Sequence, residues 1–354
     1  MCTRILRNSD DHGPVLTGRT MDWPMSTQAL ITVFPAGRRR RGGMAGEQEV
    51  ISDNPLEWTS KYGSIVTGIY GIGSADGINE PGLAAHLLYL KATDTGPGGS
   101  GKPALQIALW AQYVLDNAAT VEEALTLLDS VEIVKTDVDV KDEDGETHTV
   151  AGTLHLAMED ARGDSAIVEF IEGRPTVHYG REYTVMTNDP SYREQLDLLK
   201  GQEEALKDEN GNIVPSRDLP LPGNVAPVDR FQRATYFSRL LPKTDPAKPQ
   251  DEQYRKAVAG MLSITRNVSV PAGAPYSGEF ATYDTEYRTI CDLSNKRYFF
   301  ELSTSPSLIW TEIDSHIFES DDPDGPVKAL DPYTLGLETV GDVTDRFKPV
   351  KVGF

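Results

Sequence analysis

The chain opens Met1-Cys2-Thr3-Arg4-Ile5-Leu6-Arg7 and, after one turn, reaches Leu16-Thr17-Gly18-Arg19-Thr20-Met21-Asp22-Trp23. Removal of the initiator methionine would make Cys2 the N-terminus, with a thiol and a free α-amine on one residue. A thiolate is the reactive form of cysteine, and an unperturbed α-amine titrates at about 7.7–8, so part of it is a free base at neutral pH. One residue can then supply both nucleophile and general base. Residues 2–8 and 14–20 read as two strands joined by the turn cluster Asn8-Ser9-Asp10-Asp11-His12-Gly13. Antiparallel pairing brings Arg19 and Asp22 back to the Cys2 end. Arg19 is then placed to favour a thiolate and Asp22 to hold an ammonium, although a surface ion pair would use the same residue types.

Composition narrows the field. The chain has 354 residues, is 39% hydrophobic and carries a net charge of −20. Such a charge argues against nucleic acid and anionic membrane surfaces as partners. Two cysteines, Cys2 and Cys291, leave no disulfide framework. There is no apolar run long enough to cross a membrane. With no signal peptide ahead of Cys2, cytoplasmic synthesis is expected; a periplasmic location would need a leader cleaved before this numbering.

Beyond the hairpin, Ala29–Pro35 reads as a third strand, and Arg38–Arg41 as a solvated loop rather than an anion patch. Two strands are expected over Trp58–Gly73. Asp76-Gly77-Ile78-Asn79-Glu80-Pro81-Gly82-Leu83 reads as a turn leading into a strand at Leu83–Leu90. Ala104–Ala118 carries the apolar spacing of a buried helix, and Thr120-Val121-Glu122-Glu123 is a capping box opening a second helix at Val121–Leu128. Thr153–Met158, Ser165–Ile171, Arg174–Tyr179 and Tyr183–Thr187 read as an antiparallel meander. Helices are expected at Tyr192–Leu199, Asp229–Leu241 and Glu252–Ser263, with strands at Thr282–Asp292, Arg297–Leu302 and Ser307–Glu312. The acidic tail after Asp321 reads as a surface wrap. Strands and helices come in blocks without βαβ alternation, which predicts an α+β fold of antiparallel sheets layered with helices. No linker forces a division, so residues 1–354 are read as one domain.

Several chemistries drop out. Gly96-Pro97-Gly98-Gly99-Ser100-Gly101-Lys102 resembles a phosphate loop, but Pro103 stands where a hydroxyl ligand is required. Gly71, Gly73 and Asp76 miss the dinucleotide fingerprint by one position. The acidic stretch Asp137–Glu146 puts Lys141 where a calcium ligand belongs, so Asp144-Gly145 is read as a type I′ hairpin turn. The six histidines, at 12, 86, 148, 155, 178 and 316, have no zinc-ligand spacing. There is no Gly-x-Ser-x-Gly elbow. No metal and no cofactor are expected.

Met1-Cys2-Thr3, Gly18-Arg19-x-Met21-Asp22-Trp23, Asp76-Gly77-Ile78-Asn79-Glu80-x-Gly82-Leu83, Thr187-Asn188-Asp189-Pro190 and Asp229-Arg230-Phe231 occur in this order. Together they resemble the choloylglycine hydrolase family, which holds the penicillin V acylases and conjugated bile acid hydrolases. The resemblance runs from Cys2 to the Arg288-Thr289 and Tyr298–Glu301 region. It implies an N-terminal-nucleophile hydrolase with a four-layer αββα sandwich, assembled as a homotetramer and cleaving a linear C–N amide without a cofactor. By position, Cys2 is the implied nucleophile and Arg19 and Asp22 flank it. Asn188 is implied as a side-chain oxyanion donor and Asn79 as the residue giving a backbone donor. Arg230 is implied to stabilise charge. Asp189 follows Asn188 where many members have serine, which adds a negative charge beside the site.

Trp58–Gly63, Trp110–Asn117 and Ser305-Pro306-Ser307 look like the Gram-negative-type branch. That likeness, with Trp23 beside Asp22, ranks penicillin V or acyl-homoserine lactones first as substrates and bile salts second. Phe34 and the Tyr62 region are possible additions to the acyl pocket. A non-catalytic binding protein on the same fold is the rival from another class.

Overall fold

The computed structural model describes residues 1–8, 13–204, 206–211, 221–274, 283–305 and 307–354. The centre of the expected turn at 8–13, including His12, lies outside the described residues. So do much of the 202–227 connection, Thr282 and Pro306.

β1 (Cys2–Arg7) and β2 (Leu16–Asp22) form the expected hairpin, with Cys2 opposite Met21 and Arg4 opposite Arg19. Both strands are buried almost throughout, because each face is covered by another layer. The chain then crosses to a second sheet through β3 (Leu30–Phe34).

The arginine run departs from expectation. β4 (Arg39–Arg41) is a strand, not a solvated loop; after the small hairpin β5 (Met44–Ala45) and β6 (Gln48–Glu49), it pairs with β7 (Glu57–Thr59). Arg40 is buried, 4.1 Å over the Phe34 ring, and its Nε donates to Asp116 at 2.8 Å. Arg38 donates to the carbonyls of Pro323 and Gly325. A planar guanidinium tolerates burial when a ring and a carboxylate take its face and edge.

β8 (Ser64–Ile69), β9 (Gly73–Asn79) and β10 (Ala84–Tyr89) form a meander. Asp76 to Asn79 belong to a strand rather than a turn. The Asp76 carboxylate is satisfied by Thr289 and Tyr298 from the opposite sheet, and the turn shrinks to Glu80–Gly82, with Gly82 at φ +96°.

β11 (Ala104–Gln106) pairs locally, so the helix expected from 104 starts later, as α1 (Trp110–Asn117). α2 (Val121–Leu128) begins where the capping box places it. Thr120 Oγ1 accepts the Glu123 N–H at 3.2 Å, and the Glu123 carboxylate accepts the Ala119 N–H at 2.8 Å. β12 (Glu132–Val134) pairs parallel with β11. β13 (Val138–Lys141) and β14 (Thr147–Val150) form the hairpin read from Asp144-Gly145, but not its turn type. Only Gly145 of that pair has positive φ, and the Asp142 side chain caps the loop by accepting the N–H groups of Asp144 and Glu146.

β15 (Leu154–Glu159), β16 (Ser165–Ile171) and β17 (Arg174–Tyr179) continue the second sheet. The fourth run of the expected meander leaves it. β18 (Val185–Met186) pairs with β1 in the first sheet, Met186 opposite Arg4. That crossing carries Asn188 to Cys2. α3 (Tyr192–Glu204), α4 (Pro227–Arg239) and α5 (Gln250–Asn267) follow, then β19 (Thr285–Asp292), β20 (Arg297–Leu302) and β21 (Ile309–Glu312).

The tail is not a surface wrap. β22 (Val327–Leu330) and β24 (Lys348–Val350) complete the second sheet beside β3, and β23 (Gly341–Asp342) joins the first. The result is a seven-stranded sheet, β18-β1-β2-β19-β20-β21-β23, facing a nine-stranded one, β17-β16-β15-β10-β9-β8-β3-β22-β24. α4 and α5 cover the first and α1 covers the second, which gives the four αββα layers. Among the described residues no helix is long and apolar enough to cross a membrane.

Candidate active site

Pleating decides what surrounds Cys2. Residues opposite one another in an antiparallel pair share a face, so Cys2, Met21 and Tyr287 form one row across β1, β2 and β19, pointing toward the nine-stranded sheet. Arg4, Arg19 and Thr289 form the next row on that face. Arg19 Nη2 donates to Cys2 Sγ at 3.4 Å, and its Nη1 donates to the Ala75 carbonyl on β9. Burial alone would loosen the Arg19 proton. Cys2, then Tyr287 and Asp76, more than offset that and push its pKa above the ordinary value.

The other face carries a second set. Asp22 accepts from Thr285 Oγ1 at 2.6 Å and Thr20 Oγ1 at 3.2 Å, with Arg230 Nη1 3.4 Å away. Arg230, on α4, donates to the Cys2 carbonyl at 2.7 Å, to Thr3 Oγ1, and to Asn188 Oδ1 at 2.9 Å. Asn188 Oδ1 also accepts the Cys2 N–H at 2.7 Å, while Asn188 Nδ2 donates to the Tyr89 carbonyl at 2.6 Å. Met1 is buried, and its amine donates to the Asp22 carbonyl. Burial lowers that amine to about 6, against the pull of Cys2 and Asp22 and with the push of Arg230 and Arg19.

Five of the sequence-derived residues, Cys2, Arg19, Asp22, Asn188 and Arg230, therefore meet. Asn79 does not join them. Its side chain donates to the Leu115 and Ala118 carbonyls at the end of α1, and its backbone N–H donates to the Leu83 carbonyl at 3.0 Å. It ties a turn to a helix end. Tyr89, inside the strand expected at Leu83–Leu90, is the last residue of β10 and stands beside Asn188, with no local pattern that marks it for the site. Asp189 turns its carboxylate away, accepting the Lys91 N–H at 3.0 Å.

A cavity of about 70 Å³ opens at Cys2, lined by Met21, Trp23, Tyr70, Tyr89, Val138 and Leu154 among others. Trp23 Nε1 donates to Tyr70 Oη at 2.9 Å, and the indole lies against Tyr89 and Tyr283. Phe34 is elsewhere, under Arg40 and against Phe354, and Tyr62 lies under Lys61; neither lines the cavity. The β13–β14 hairpin supplies Val138 and Val150 to the wall, a contribution that the hairpin reading of this acidic stretch does not by itself indicate. At its tip Asp142, Glu146 and His148 converge as a partly exposed cluster, with His148 Nε2 2.7 Å from Asp142. Together these groups form a buried thiol beside a guanidinium, with amide and cationic groups along its backbone and an apolar cavity in front. Such a site can attack a carbonyl and hold the charge that develops.

Comparison with known proteins agrees. Residues 2–325 match the model of the linear amide C–N hydrolases, choloylglycine hydrolase family. A penicillin V acylase from Pectobacterium atrosepticum is 35% identical over 99% of this chain and 90% of its own. The structure of a penicillin V acylase from Agrobacterium tumefaciens superposes with a TM-score of 0.81 at 34% identity, covering 99% of this chain and 98% of that one. A conjugated bile acid hydrolase from Clostridium perfringens shares the fold at TM-score 0.70 and 22% identity, over 96% and 98% of the two chains. With the fold, the N-terminal cysteine and a family match over most of its length, the chain belongs to the choloylglycine hydrolase family and is a linear amide C–N hydrolase of the penicillin V acylase type.

Proposed function

We propose that residues 1–354 form one catalytic domain in which Cys2, freed of Met1, is the nucleophile. Its α-amine accepts the thiol proton, and Sγ bonds to the acyl carbonyl carbon. The C–N bond then breaks, the leaving amine takes the proton, and water hydrolyses the thioester. Arg19 supports the thiolate; Asp22 and Arg230 hold the N-terminal residue; Asn188 supplies the side-chain amide for the oxyanion; Trp23 borders the acyl group. The observation that carries this reading is the hold on Cys2 from two sides, Arg19 at its sulfur and Asn188 at its nitrogen.

For substrate, the reading is a phenoxyacetyl amide such as penicillin V, or a long-chain acyl-homoserine lactone, ahead of bile salts. Support comes from the penicillin V acylase relatives at 34–35% identity and the aromatic cavity wall. A flat ring or flexible chain suits such a wall better than a rigid steroid. The family resemblance also suggests a homotetramer, which sedimentation would check. Side-by-side kcat/KM values for penicillin V, a decanoyl-homoserine lactone and glycocholate test the ranking; a preference for glycocholate overturns it.

A further inference from the structure

The two sheets do not meet through apolar side chains alone. Under Cys2 the interface holds a belt of buried ionisable side chains: Arg4 and Arg19 from the seven-stranded sheet, Asp76, His86 and Glu159 from the nine-stranded one. Its outer end is closed. Glu159 takes Arg4 Nε at 3.0 Å on one oxygen and His86 Nε2 at 2.9 Å on the other. Burial alone would raise the Glu159 carboxyl, but Arg4 and then His86 hold it down at about 2.

The inner end is looser. Asp76 is the one carboxylate within 4 Å of Arg19 among the described residues, with Oδ1 3.8 Å from Nη1. Arg19 Nε and His86 Nδ1 are buried with no hydrogen-bond partner, and His86 Nδ1 lies 3.8 Å from Asp76 Oδ2. The Arg19 guanidinium is thus not locked by a full set of donors and acceptors. Its protein ties are the Ala75 carbonyl, two sulfur atoms and the charge of Asp76, with the buried Tyr287 phenol facing it from β19. Asp76 itself is pinned, by Thr289 Oγ1 at 2.5 Å and Tyr298 Oη at 3.3 Å. Tyr298 is in turn 2.5 Å from Thr67 Oγ1.

We propose that Asp76, pinned by Thr289 and Tyr298, is a positioning residue that holds the Arg19 guanidinium under the Cys2 sulfur. The inference rests on Cys2 being the nucleophile. Asp76 touches neither the sulfur nor the acyl cavity, so it acts only through Arg19. The sign of its effect separates two cases. As a bare negative charge near the sulfur, Asp76 would disfavour the thiolate, and removing it would lower the pH at which Cys2 reacts. As the anchor of Arg19, its removal lets the guanidinium leave, and that pH rises. An opposite charge within reach of a titrating group is worth about 1–3 pH units, so losing it is measurable.

The test is the pH-rate profile of iodoacetamide alkylation of Cys2, followed by peptide mass, in the Met1-processed protein. Penicillin V kinetics are measured on the same samples. In Asp76→Asn the alkylation midpoint should rise by about one unit, with kcat falling about tenfold and KM changing little. Thr289→Val, which keeps the shape and removes the 2.5 Å donor, should move the midpoint the same way, and Thr289→Ser should restore it. That series also stands if Asp76→Asn does not fold. A midpoint that falls or stays in a folded Asp76→Asn, or stays in folded Thr289→Val, overturns the proposal. Stoichiometric alkylation of wild-type Cys2 without loss of hydrolysis overturns the nucleophile reading itself, and this inference with it.

Discussion

Asn188 holds the Cys2 backbone N–H on its side-chain oxygen at 2.7 Å and donates one Nδ2–H to the Tyr89 carbonyl at 2.6 Å. One side chain therefore ties the N-terminal residue of one sheet to the last residue of β10 in the other. Asn188→Ala removes these two bonds, the acceptor of Arg230 Nη2, and the amide that the proposed mechanism assigns to the oxyanion. We expect kcat/KM on penicillin V to fall about 10²–10³-fold, the range for losing one oxyanion donor. A loss below fivefold in a folded variant would remove Asn188 from the reaction.

Met1 sets the second test. While it remains, the Cys2 nitrogen is a peptide N–H that donates to Asn188, and its lone pair, delocalised into the Met1 carbonyl, does not accept the thiol proton. Protein retaining Met1, identified by intact mass, should hydrolyse penicillin V at under about 1% of the processed rate, since general-base catalysis contributes about 10²–10⁴-fold. Equal rates would place the base elsewhere.

Glu159 makes stability depend on acid. Its folded carboxyl is held down at about 2, below the ordinary value of 4.5, so its contribution is full above pH 4.5 and is lost as pH falls toward 2. Glu159→Gln leaves Arg4 buried without its counter-charge, which should cost about 3–5 kcal/mol at pH 7. In urea unfolding, the gap between pH 7 and pH 3 should be smaller for the variant than for wild type. An unchanged gap would mean that other carboxylates carry the acid response.

Arg40 should be structural only. Arg40→Met removes the cation paired with buried Asp116 and stacked on Phe34. We expect a loss of about 3 kcal/mol in unfolding free energy, with kcat/KM unchanged within about twofold. A selective loss of activity would give the arginine run a functional role.

Val138 tests the cavity. At about 70 Å³ the space is well short of a typical ligand pocket, about 300–1,000 Å³, so the wall must yield to admit an acyl group. Val138→Ala should lower KM for longer acyl chains, and Val138→Trp should raise KM for penicillin V about tenfold or more with Cys2 alkylation intact. Unaltered KM values in both would show that the acyl group binds away from the β13–β14 hairpin.

Short-range patterns were legible in the sequence. Period-2 runs and turn residues placed β16, β17 and β20 at their observed bounds, and the Thr120 capping box placed α2. The first hairpin and the Cys2–Arg19 neighbourhood follow from antiparallel pairing across one turn. These are local because hydrogen-bonding and side-chain periodicity act over a few residues. The order of motifs was enough to indicate the family.

The partnerships between sheets were decided only by the tertiary structure. Nothing near Val185–Met186 says that this run leaves its meander to pair with β1, yet that crossing delivers Asn188. Asn79 stands in a family-like motif as the implied backbone donor, but in the folded chain its N–H goes to the Leu83 carbonyl and its side-chain amide to the end of α1. Tyr89 and Val138 reach the cavity because two sheets and a hairpin converge there, and Asp76 meets Arg19 across the interface. Burial also reversed the reading of the arginine run, since a charge pattern cannot say which guanidinium will find a ring and a carboxylate. Local pairing across one turn is enough to put Cys2 at the head of a hairpin with Arg19 and Asp22 at its side. Which distant groups complete that site depended on long-range packing, where the energy lies in contacts between residues that share no local pattern.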